Sequence, residues 1–253
     1  MLKQILNGRV LTPQGWLEGG SVIIDGNKIL AVSNSDLHIV DAEIIDAKGC
    51  YVVPGGVDLH VHGGGGRDFM EGTEEAFRVA IKAHMKHGTT SIFPTLSSST
   101  VPMIEAACET CEKLMAEENS PVLGLHLEGP YFNPKQAGAQ IPEWIKPPVA
   151  EEYEPLLDKY PCIKRWDEAP ELPGSIEFIQ SCRKHGVVAS IGHTRATYAD
   201  VVAGHKAGMM HATHFYNAMP VVYKEHEFKV PGTVESVYAL PDMTVEVIAD
   251  GIH

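Results

Sequence analysis

The sequence predicts an α/β fold in which a small N-terminal β part, interpreted as part of a β-sandwich, precedes a TIM-type (β/α)8 barrel. From Pro54 onward, short apolar segments alternate with helical patterns, which is typical of βα units and a parallel sheet. Three helical segments also end alike, in KHG, KHG and KAG, each with a basic last turn, a glycine and an immediate strand. We therefore assign residues 1–53 to the β part and residues 54–253 to the barrel.

The β part shows strand patterns and no helical period. Its apolar segments are QILNGRVL, GSVIIDGNKILAV and EIIDAKGCYVV, separated by turn sequences such as Pro-Gln-Gly and Asp-Gly-Asn. The barrel part supplies seven predicted strands: VDLHVHG, TTSIFPTL, PVLGLHLEG, CIKRWDEAPEL, VVASIGHT, MMHATHFYNAM and MTVEVIADGIH. A closed barrel of this type has eight strands, so we expect about seven of the eight and an opening between the first and the seventh.

The chain is acidic, with a net charge of −13 from 20 basic and 33 acidic residues. Nucleic acids and anionic membranes require a basic surface, so neither is expected as a partner. No run of 18 apolar residues occurs, and the first 15 residues lack the apolar core of a signal peptide. With five cysteines, this predicts reduced thiols and a cytoplasmic location. We interpret the CxxC of Cys108 and Cys111 as two thiols on a helix face.

Polar residues stand where the predicted strands end, and the active site of a parallel barrel is built at those ends. They are His60, His62, Glu128, His193, His214, Asp250 and His253. His60 and His62 are two positions apart, so both side chains face inward. A carboxylate at the end of a buried strand is costly unless it is paired, and imidazoles with a carboxylate suit a divalent transition metal. We expect a metal centre of His60, His62, Glu128, His193 and His214.

The remaining histidines are expected to have other roles. His126 lies on the strand face of Glu128, one step deeper, and is expected to support a metal ligand or to pack in the core. His211 precedes His214 by three positions, so strand alternation turns it to the opposite face and predicts a structural role. Histidines on helical segments are expected at the surface or at helix ends; these are His84, His87, His185 and His205.

A metal in such a site would polarise a substrate carbonyl and activate water near neutral pH, which suits the hydrolysis of an amide or ester. The reaction still needs a general base to accept the proton of the water and return it to the leaving amine.

Six motifs carry a family resemblance: PGGVDLHVHG, TSIFPTL, GLHLEGPYFNPKQAGAQ, SIGHT, ATHFYNAMP and VIADGIH. In this order, over essentially the whole chain, they are similar to the N-acetylglucosamine-6-phosphate deacetylases of the amidohydrolase superfamily. The HxH pair marks only the superfamily, whereas HLEGP, ATHxYNAMP and IADGxH are specific to the deacetylases. The resemblance implies removal of acetate from the 2-acetamido group of N-acetylglucosamine 6-phosphate in cytoplasmic amino-sugar catabolism.

The resemblance also implies roles for the metal residues. Glu128, His193 and His214 match the family's main ligands, and His60 with His62 matches a pair that allows a second ion where it is present. One or two divalent ions are therefore expected, with zinc first and iron, cobalt or manganese as alternatives.

Seven residues match the family's substrate-binding positions: Ala139, Gln140, Asn217, Ala218, Lys229, Asp250 and His253. Gln140 stands where many members carry histidine, so it can donate a hydrogen bond but carries no charge. Lys229 stands where the family often has an arginine that reaches the phosphate of a neighbouring subunit. The resemblance therefore implies a homodimer. Lys229 would meet the phosphate as a point charge, whereas an arginine would bind it in a bidentate way.

The catalytic residue is not identified in this sequence. In the family, an aspartate on the eighth strand serves as general base and then as acid, whereas this sequence stops at His253, after the seventh strand. We expect a C-terminally truncated chain that is not an active deacetylase by itself.

Two alternatives stay open. Other members of the superfamily, such as dihydroorotases and hydantoinases, usually bridge two metals with a modified lysine at the end of strand four. Here Lys164 lies near the start of that strand, and Glu128 is available on strand three. The second alternative is a non-catalytic, metal-binding fragment.

Overall fold

The computed structural model describes residues 1–34 and 39–252, so His253 lies outside the described residues. The chain divides into two compact units, residues 1–56 and residues 57–253. The boundary assigned from the sequence, after residue 53, lies close to this division. Within the described residues, none of the helices is both long and apolar enough to cross a membrane.

The N-terminal unit contains one mixed sheet of five strands. They are β1 (Leu2–Thr12), β2 (Gly15–Asp25), β3 (Lys28–Ser33), β4 (Glu43–Asp46) and β5 (Tyr51–Val52). Tight turns join the antiparallel pairs β1–β2 and β2–β3, and both β4 and β5 pair with β1 in parallel. In the second turn Asp25 pairs with Lys28, and Gly26 has a φ of 55°, a left-handed conformation that two-residue hairpin turns require.

The C-terminal unit contains a parallel sheet of seven strands. In chain order its strands and short hairpins are β6 (Gly56–Val61), β7 (Gly63–Gly64), β8 (Arg67–Asp68), β9 (Thr89–Leu96), β10 (Leu125–Glu128), β11 (Ile163–Glu168), β12 (Val188–Ile191), β13 (His211–Ala212), β14 (Tyr223–Glu225), β15 (Phe228–Val230) and β16 (Thr244–Val245). The order across the sheet is β6-β9-β10-β11-β12-β13-β16. Within the described residues β6 and β16 are its two edges, which confirms the predicted fold class and the predicted opening.

Helices alternate with these strands, as the sequence predicts. They are α1 (Glu74–Met85), α2 (Val101–Met115), α3 (Ala150–Lys159), α4 (Ser175–Lys184), α5 (Tyr198–Ala207) and α6 (Thr233–Tyr238). Short 3-10 segments lie at Phe69–Glu71, Pro134–Gln136 and Pro142–Trp144. The start of α1 is set by Thr73, whose hydroxyl accepts a hydrogen bond from the Ala76 amide, and Thr197 caps α5 in the same way.

Two predicted strands are shorter than expected. The segment MMHATHFYNAM keeps only β13, because His214, Tyr216 and Ala218 adopt left-handed conformations with φ of 26°, 80° and 50°. The segment MTVEVIADGIH keeps only β16 within the described residues. The alternation argument that separated His211 from His214 therefore does not apply. His211 instead hydrogen-bonds through Nδ1 to the Thr244 hydroxyl, at 2.8 Å.

The five cysteines are free thiols. Cys108 and Cys111 lie on the buried side of α2, within the hydrophobic core of the C-terminal unit.

An aromatic cluster holds the end of β10. Trp166 of β11 stacks on Tyr131 with ring centroids 5.5 Å apart, and Phe178 of α4 meets both rings edge-on. All three side chains are buried, and Trp166 Nε1 donates to the carbonyl oxygen of Gly129 at 2.9 Å. Because Gly129 directly follows Glu128, this packing fixes the strand end that carries the predicted carboxylate ligand.

Glu168, the last residue of β11, is a fully buried carboxyl group. Among the described residues, neither of its oxygens has a hydrogen-bond partner. Burial raises the pKa of Glu168 well above its usual range, and the nearby Ser175 hydroxyl opposes that rise only in part. A raised folded-state pKa costs stability at neutral pH, because the unfolded chain ionises the same group freely.

We predict that Glu168→Gln stabilises the protein increasingly as the pH rises. Glutamine does not titrate, whereas the parent loses about 1.4 kcal/mol per pH unit through this group between the unfolded pKa, about 4.3, and the raised folded pKa. The difference in free energy of unfolding between variant and parent should therefore grow over that window. Urea unfolding at several pH values measures it.

The matched control is Glu177→Gln, because Glu177 is exposed on the neighbouring helix α4. That variant should show no growing difference. A difference between Glu168→Gln and the parent that does not change with pH would contradict the prediction.

Candidate metal centre

The structure brings all five predicted metal residues together at the carboxyl ends of the strands. Glu128 ends β10 and is 3% exposed, and the four histidines end or follow β6, β12 and β13. The four Nε2 atoms surround the carboxylate of Glu128, at 3.5 Å for His60, 3.3 Å for His62, 3.1 Å for His193 and 3.0 Å for His214. Both carboxylate oxygens of Glu128 therefore have imidazole partners: Oε1 faces His60, His193 and His214, and Oε2 faces His62.

These residues form two groups that share Glu128. One contains Glu128, His193 and His214, and the other contains His60, His62 and Glu128; within each group the candidate donor atoms lie within 4.8 Å of one another. Imidazole nitrogens and carboxylate oxygens are the donors that zinc and related divalent ions prefer. These residues therefore form candidate metal-binding groups.

Ring nitrogens that face each other test the fit of a cation here. Nε2 of His193 lies 3.1 Å from Nε2 of His214, and Nε2 of His60 lies 3.2 Å from Nε2 of His62. Two nitrogen lone pairs at this distance repel unless a proton or a cation lies between them. A divalent ion in either group would satisfy the nitrogen pair of that group and the shared carboxylate, so the donor set fits a metal.

The second nitrogen of three rings is held by a polar group. Nδ1 of His193 lies 2.8 Å from the carbonyl oxygen of Gln136, to which it must donate. Nδ1 of His62 lies 3.2 Å from the Ser97 hydroxyl, and Nδ1 of His60 lies 2.7 Å from Glu246. Each contact occupies Nδ1 and leaves Nε2 as the nitrogen that faces Glu128 and the centre.

The backbone at two of these histidines is unusual. His193 and His214 have φ of 44° and 26°, in or near the left-handed region that side chains other than glycine rarely adopt. The strand ends also approach closely, because a Cβ atom on Gly192 would lie only 2.2 Å from Cγ2 of Thr213. Glycine is therefore required at the centre of the SIGHT motif.

The contacts within the centre shift the pKa values of Glu128 and His60 toward their charged forms. Burial alone would raise the pKa of Glu128, but hydrogen bonds from the four histidines hold it well below its usual range. Burial opposes protonation of His60, yet its contacts with Glu128 and Glu246 outweigh that effect and raise the pKa of His60 to about 10. The Glu128 carboxylate is thus ionised and available to a cation.

Sequence reasoning missed a buried network beneath the ligands. Arg165 and Asp167 of β11 are 7% and 0% exposed, and Glu246 follows β16 with its side chain 9% exposed. Arg165 forms ion pairs with both carboxylates, at 3.2 Å to Asp167. The available signal was the strand segment KRWDE, in which two charges at alternate positions must share one face.

His126 belongs to this network. It is fully buried, its Nε2 lies 2.9 Å from Asp167, and its Nδ1 lies 3.1 Å from the Thr95 hydroxyl. Burial lowers the pKa of His126 to about 4, against the opposing effect of Asp167. His126 thus lies two residues before Glu128 on β10, as expected, and its side chain contacts Asp167 of the buried network.

The predicted substrate residues fall into two sets. Gln140 is buried in the centre, where Nε2 donates to Glu128 at 2.7 Å and Oε1 accepts from the Ser98 amide at 2.6 Å. One donor and one acceptor position of its amide are thus engaged. Asn217 donates to the carbonyl oxygen of His214 at 3.3 Å.

The other substrate residues lie nearer the surface. Ala139 is exposed beside Gln140, and the carbonyl oxygen of Ala218 accepts a hydrogen bond from the Thr194 amide at 3.1 Å. Lys229 is exposed on β15, opposite Lys224, and Asp250 is exposed in the loop after β16.

Comparisons with known proteins identify what the chain is similar to. A model of the amidohydrolase family matches residues 51–253. The N-acetylglucosamine-6-phosphate deacetylase of Bacillus subtilis (strain 168) is 33% identical over 252 residues, covering 96% of this chain and 62% of that protein. The chain spans less than two thirds of the length of this relative and of further curated deacetylases.

Solved structures agree with the sequence matches. The N-acetylglucosamine-6-phosphate deacetylase from Pasteurella multocida is 28% identical with a TM-score of 0.92, over 100% of this chain and 66% of that chain. A variant of the deacetylase from Mycobacterium smegmatis, solved in complex with N-acetyl-D-glucosamine-6-phosphate, is 28% identical with a TM-score of 0.87. That match covers 100% of this chain and 64% of the other.

We predict that Gln140→Leu lowers the free energy of unfolding by about 1–3 kcal/mol, because the buried Ser98 amide and Glu128 oxygen each lose a partner. Chemical denaturation measures the change. Gln136→Leu is the matched control in the same loop, with a half-buried side chain, and should cost about 0.5 kcal/mol or less. Equal losses in the two variants would contradict the assigned hydrogen bonds.

Proposed function

Because the chain belongs to the amidohydrolase family, we propose that it forms the metal-binding barrel of an N-acetylglucosamine-6-phosphate deacetylase. The reaction is hydrolysis of the acetamide to glucosamine 6-phosphate and acetate, in amino-sugar catabolism. The observation that carries this proposal is the buried Glu128 carboxylate with four imidazole Nε2 atoms around it, at the strand ends where barrels of this type place their active sites. The deacetylases among its relatives support the substrate class.

Glu128, His193 and His214 would hold the main metal, and His60 with His62 would hold a second ion. Zinc is proposed first, because three or four nitrogen and oxygen ligands suit its tetrahedral preference. When bound, the metal supplies Lewis acidity for the amide carbonyl and for the attacking water. Contacts at Nδ1 orient three of the four rings, those of His60, His62 and His193, so that Nε2 faces the centre.

Neither carboxylate that contacts the ligand histidines is free to act as general base. Glu128 faces the four rings, and Glu246 accepts hydrogen bonds from His60, Arg165 and the His214 amide. We therefore propose that the general base is the aspartate of an eighth strand that the family resemblance implies.

The phosphate site is proposed at the turn of Asn217 and Ala218 and at Lys229. Lys229 lies on the exposed hairpin β14–β15, which suits contact with the substrate of a neighbouring subunit in a homodimer. The bound N-acetyl-D-glucosamine-6-phosphate of the Mycobacterium smegmatis structure supports a phosphorylated ligand. The free thiols support the proposed cytoplasmic location.

The alternative with a modified lysine has less support. Lys164 is exposed, whereas Arg165 and Asp167, two of the buried polar residues of β11, already pair with each other. The alternative of a non-catalytic fragment is distinguished by an acetate-release assay.

We predict that the purified protein holds about one to two equivalents of zinc. Glu128→Gln and His193→Ala should each abolish the main position, whereas His60→Ala should lose at most the second. Elemental analysis after dialysis measures the content. His87→Ala is the control, because His87 is exposed after α1. Full metal content in Glu128→Gln would overturn the ligand assignment.

We predict that the active enzyme prefers the 6-phosphate over free N-acetylglucosamine by about ten- to a hundredfold in kcat/KM, the usual effect of losing a charged hydrogen bond. Lys229→Ala should narrow this preference, mainly through KM. Lys224→Ala, on the facing strand of the same hairpin, is the matched control. Equal kcat/KM for the two sugars would show that the phosphate site is misplaced.

A further inference from the structure

Arg165 occupies an unusual position inside the sheet. Its guanidinium and Nε donate to groups from several strands: Asp167 at 3.2 Å, the Ser190 hydroxyl at 3.1 Å, the Thr213 hydroxyl at 2.5 Å, the carbonyl oxygen of Leu59 at 3.4 Å, and Glu246. It therefore connects β6, β11, β12 and the segments that follow β13 and β16.

This network is costly to bury. A buried ion pair often contributes no more stability than well-packed apolar residues of the same volume. Arg165 is nevertheless 7% exposed, and Asp167, at 0%, lies between Arg165 and His126. Stability alone therefore gives no reason for charged groups at these positions. Their contacts with the candidate metal ligands suggest another role.

Glu246 connects the network to those ligands. One oxygen, Oε2, pairs with Arg165. The other, Oε1, lies 2.7 Å from Nδ1 of His60 and accepts from the backbone amide of His214 at 2.9 Å. The carboxylate of Glu246 thus contacts one ligand from each of the two groups.

The orientation of Glu246 determines which nitrogen of His60 can serve as a donor. While Oε1 accepts a hydrogen bond from Nδ1, the ring of His60 keeps Nε2 directed toward the centre, 3.5 Å from Glu128. Without Arg165, Oε2 would keep the more distant Nε2 of His211, 3.8 Å away. The carboxylate of Glu246 could then rotate away from His60, and the ring could adopt the other tautomer or turn.

We infer that Arg165 is a positioning residue for the metal position formed by His60, His62 and Glu128, and that it acts through Glu246. This inference rests on the proposed function, since it requires that a metal binds there. Residues that orient a ligand in this way typically change metal affinity about 10- to 100-fold when they are replaced. The group of Glu128, His193 and His214 depends less on Arg165, because Glu246 contacts His214 at its backbone amide and not at its ring, and Nδ1 of His193 is held by the carbonyl oxygen of Gln136.

The test measures zinc affinity at both positions by calorimetric titration of the metal-free protein. Arg165→Met should lose about 10- to 100-fold at the weaker position and change the tighter one by less than about threefold. Glu246→Gln should give a similar loss. Arg183→Met, an exposed arginine on α4, is the matched control and should leave both affinities unchanged.

A double-variant comparison separates positioning from general damage to the fold. In a His60→Ala background, Arg165→Met should have no further effect on the remaining position. Arg165→Lys keeps a charge, but a single ammonium nitrogen cannot reproduce the separate contacts of Nε, Nη1 and Nη2 with Asp167, Glu246 and Thr213. It should therefore give an intermediate loss, and it tests the inference even if Arg165→Met does not fold.

The outcomes distinguish the inference from the proposed function. A parent protein that binds no zinc would overturn both, and one that binds a single ion would overturn the inference, because no second position would exist. Two positions in the parent that are unchanged in Arg165→Met, or in Arg165→Lys should the former not fold, would overturn the inference alone. A loss that persists in the His60→Ala background would also overturn it.

Discussion

The ionised carboxylate of Glu128, buried at the end of a strand, is the constraint on which the centre depends. An isolated charge there would cost several kcal/mol, so compensating groups must converge on it. Four imidazoles do so, from three other strand ends, and the backbone accommodates them with left-handed conformations at His193 and His214. The close approach at Gly192 and the aromatic packing behind Gly129 follow from the same requirement.

A second layer of charge lies beneath the first. Arg165, Asp167 and Glu246 bring one cation and two anions into the sheet interior, next to His60 and His126. The two layers are joined through hydrogen bonds rather than through apolar packing. The interior of the sheet is therefore a polar network that specifies side-chain orientation, while the apolar core lies mainly with the helices and the outward side of the strands.

Much of this arrangement could be predicted from the sequence, because the period of the apolar segments and the residues at strand ends are local signals. The seven strands and the convergence of His60, His62 and Glu128 followed from them. The extent of β13 could not be predicted, since left-handed residues such as His214 have no local signature. Nor could the partner of Arg165, because alternation indicates which face a residue occupies but not which distant carboxylate it meets. The resemblance implies a substrate-binding position for Gln140, but its contact with Glu128 depends on the path of a loop.

The shared carboxylate makes the two proposed metal positions thermodynamically interdependent. Glu128 directs Oε1 to His193 and His214 and Oε2 to His62, so an ion bound at either position would fix the rotamer and the charge that the other ion would meet. If the first ion changes the affinity for the second by some factor, the second ion changes the affinity for the first by the same factor. Binding of the two ions would therefore be one coupled equilibrium. In a protein holding two different metals, the affinity at each position would depend on the ion bound at the other.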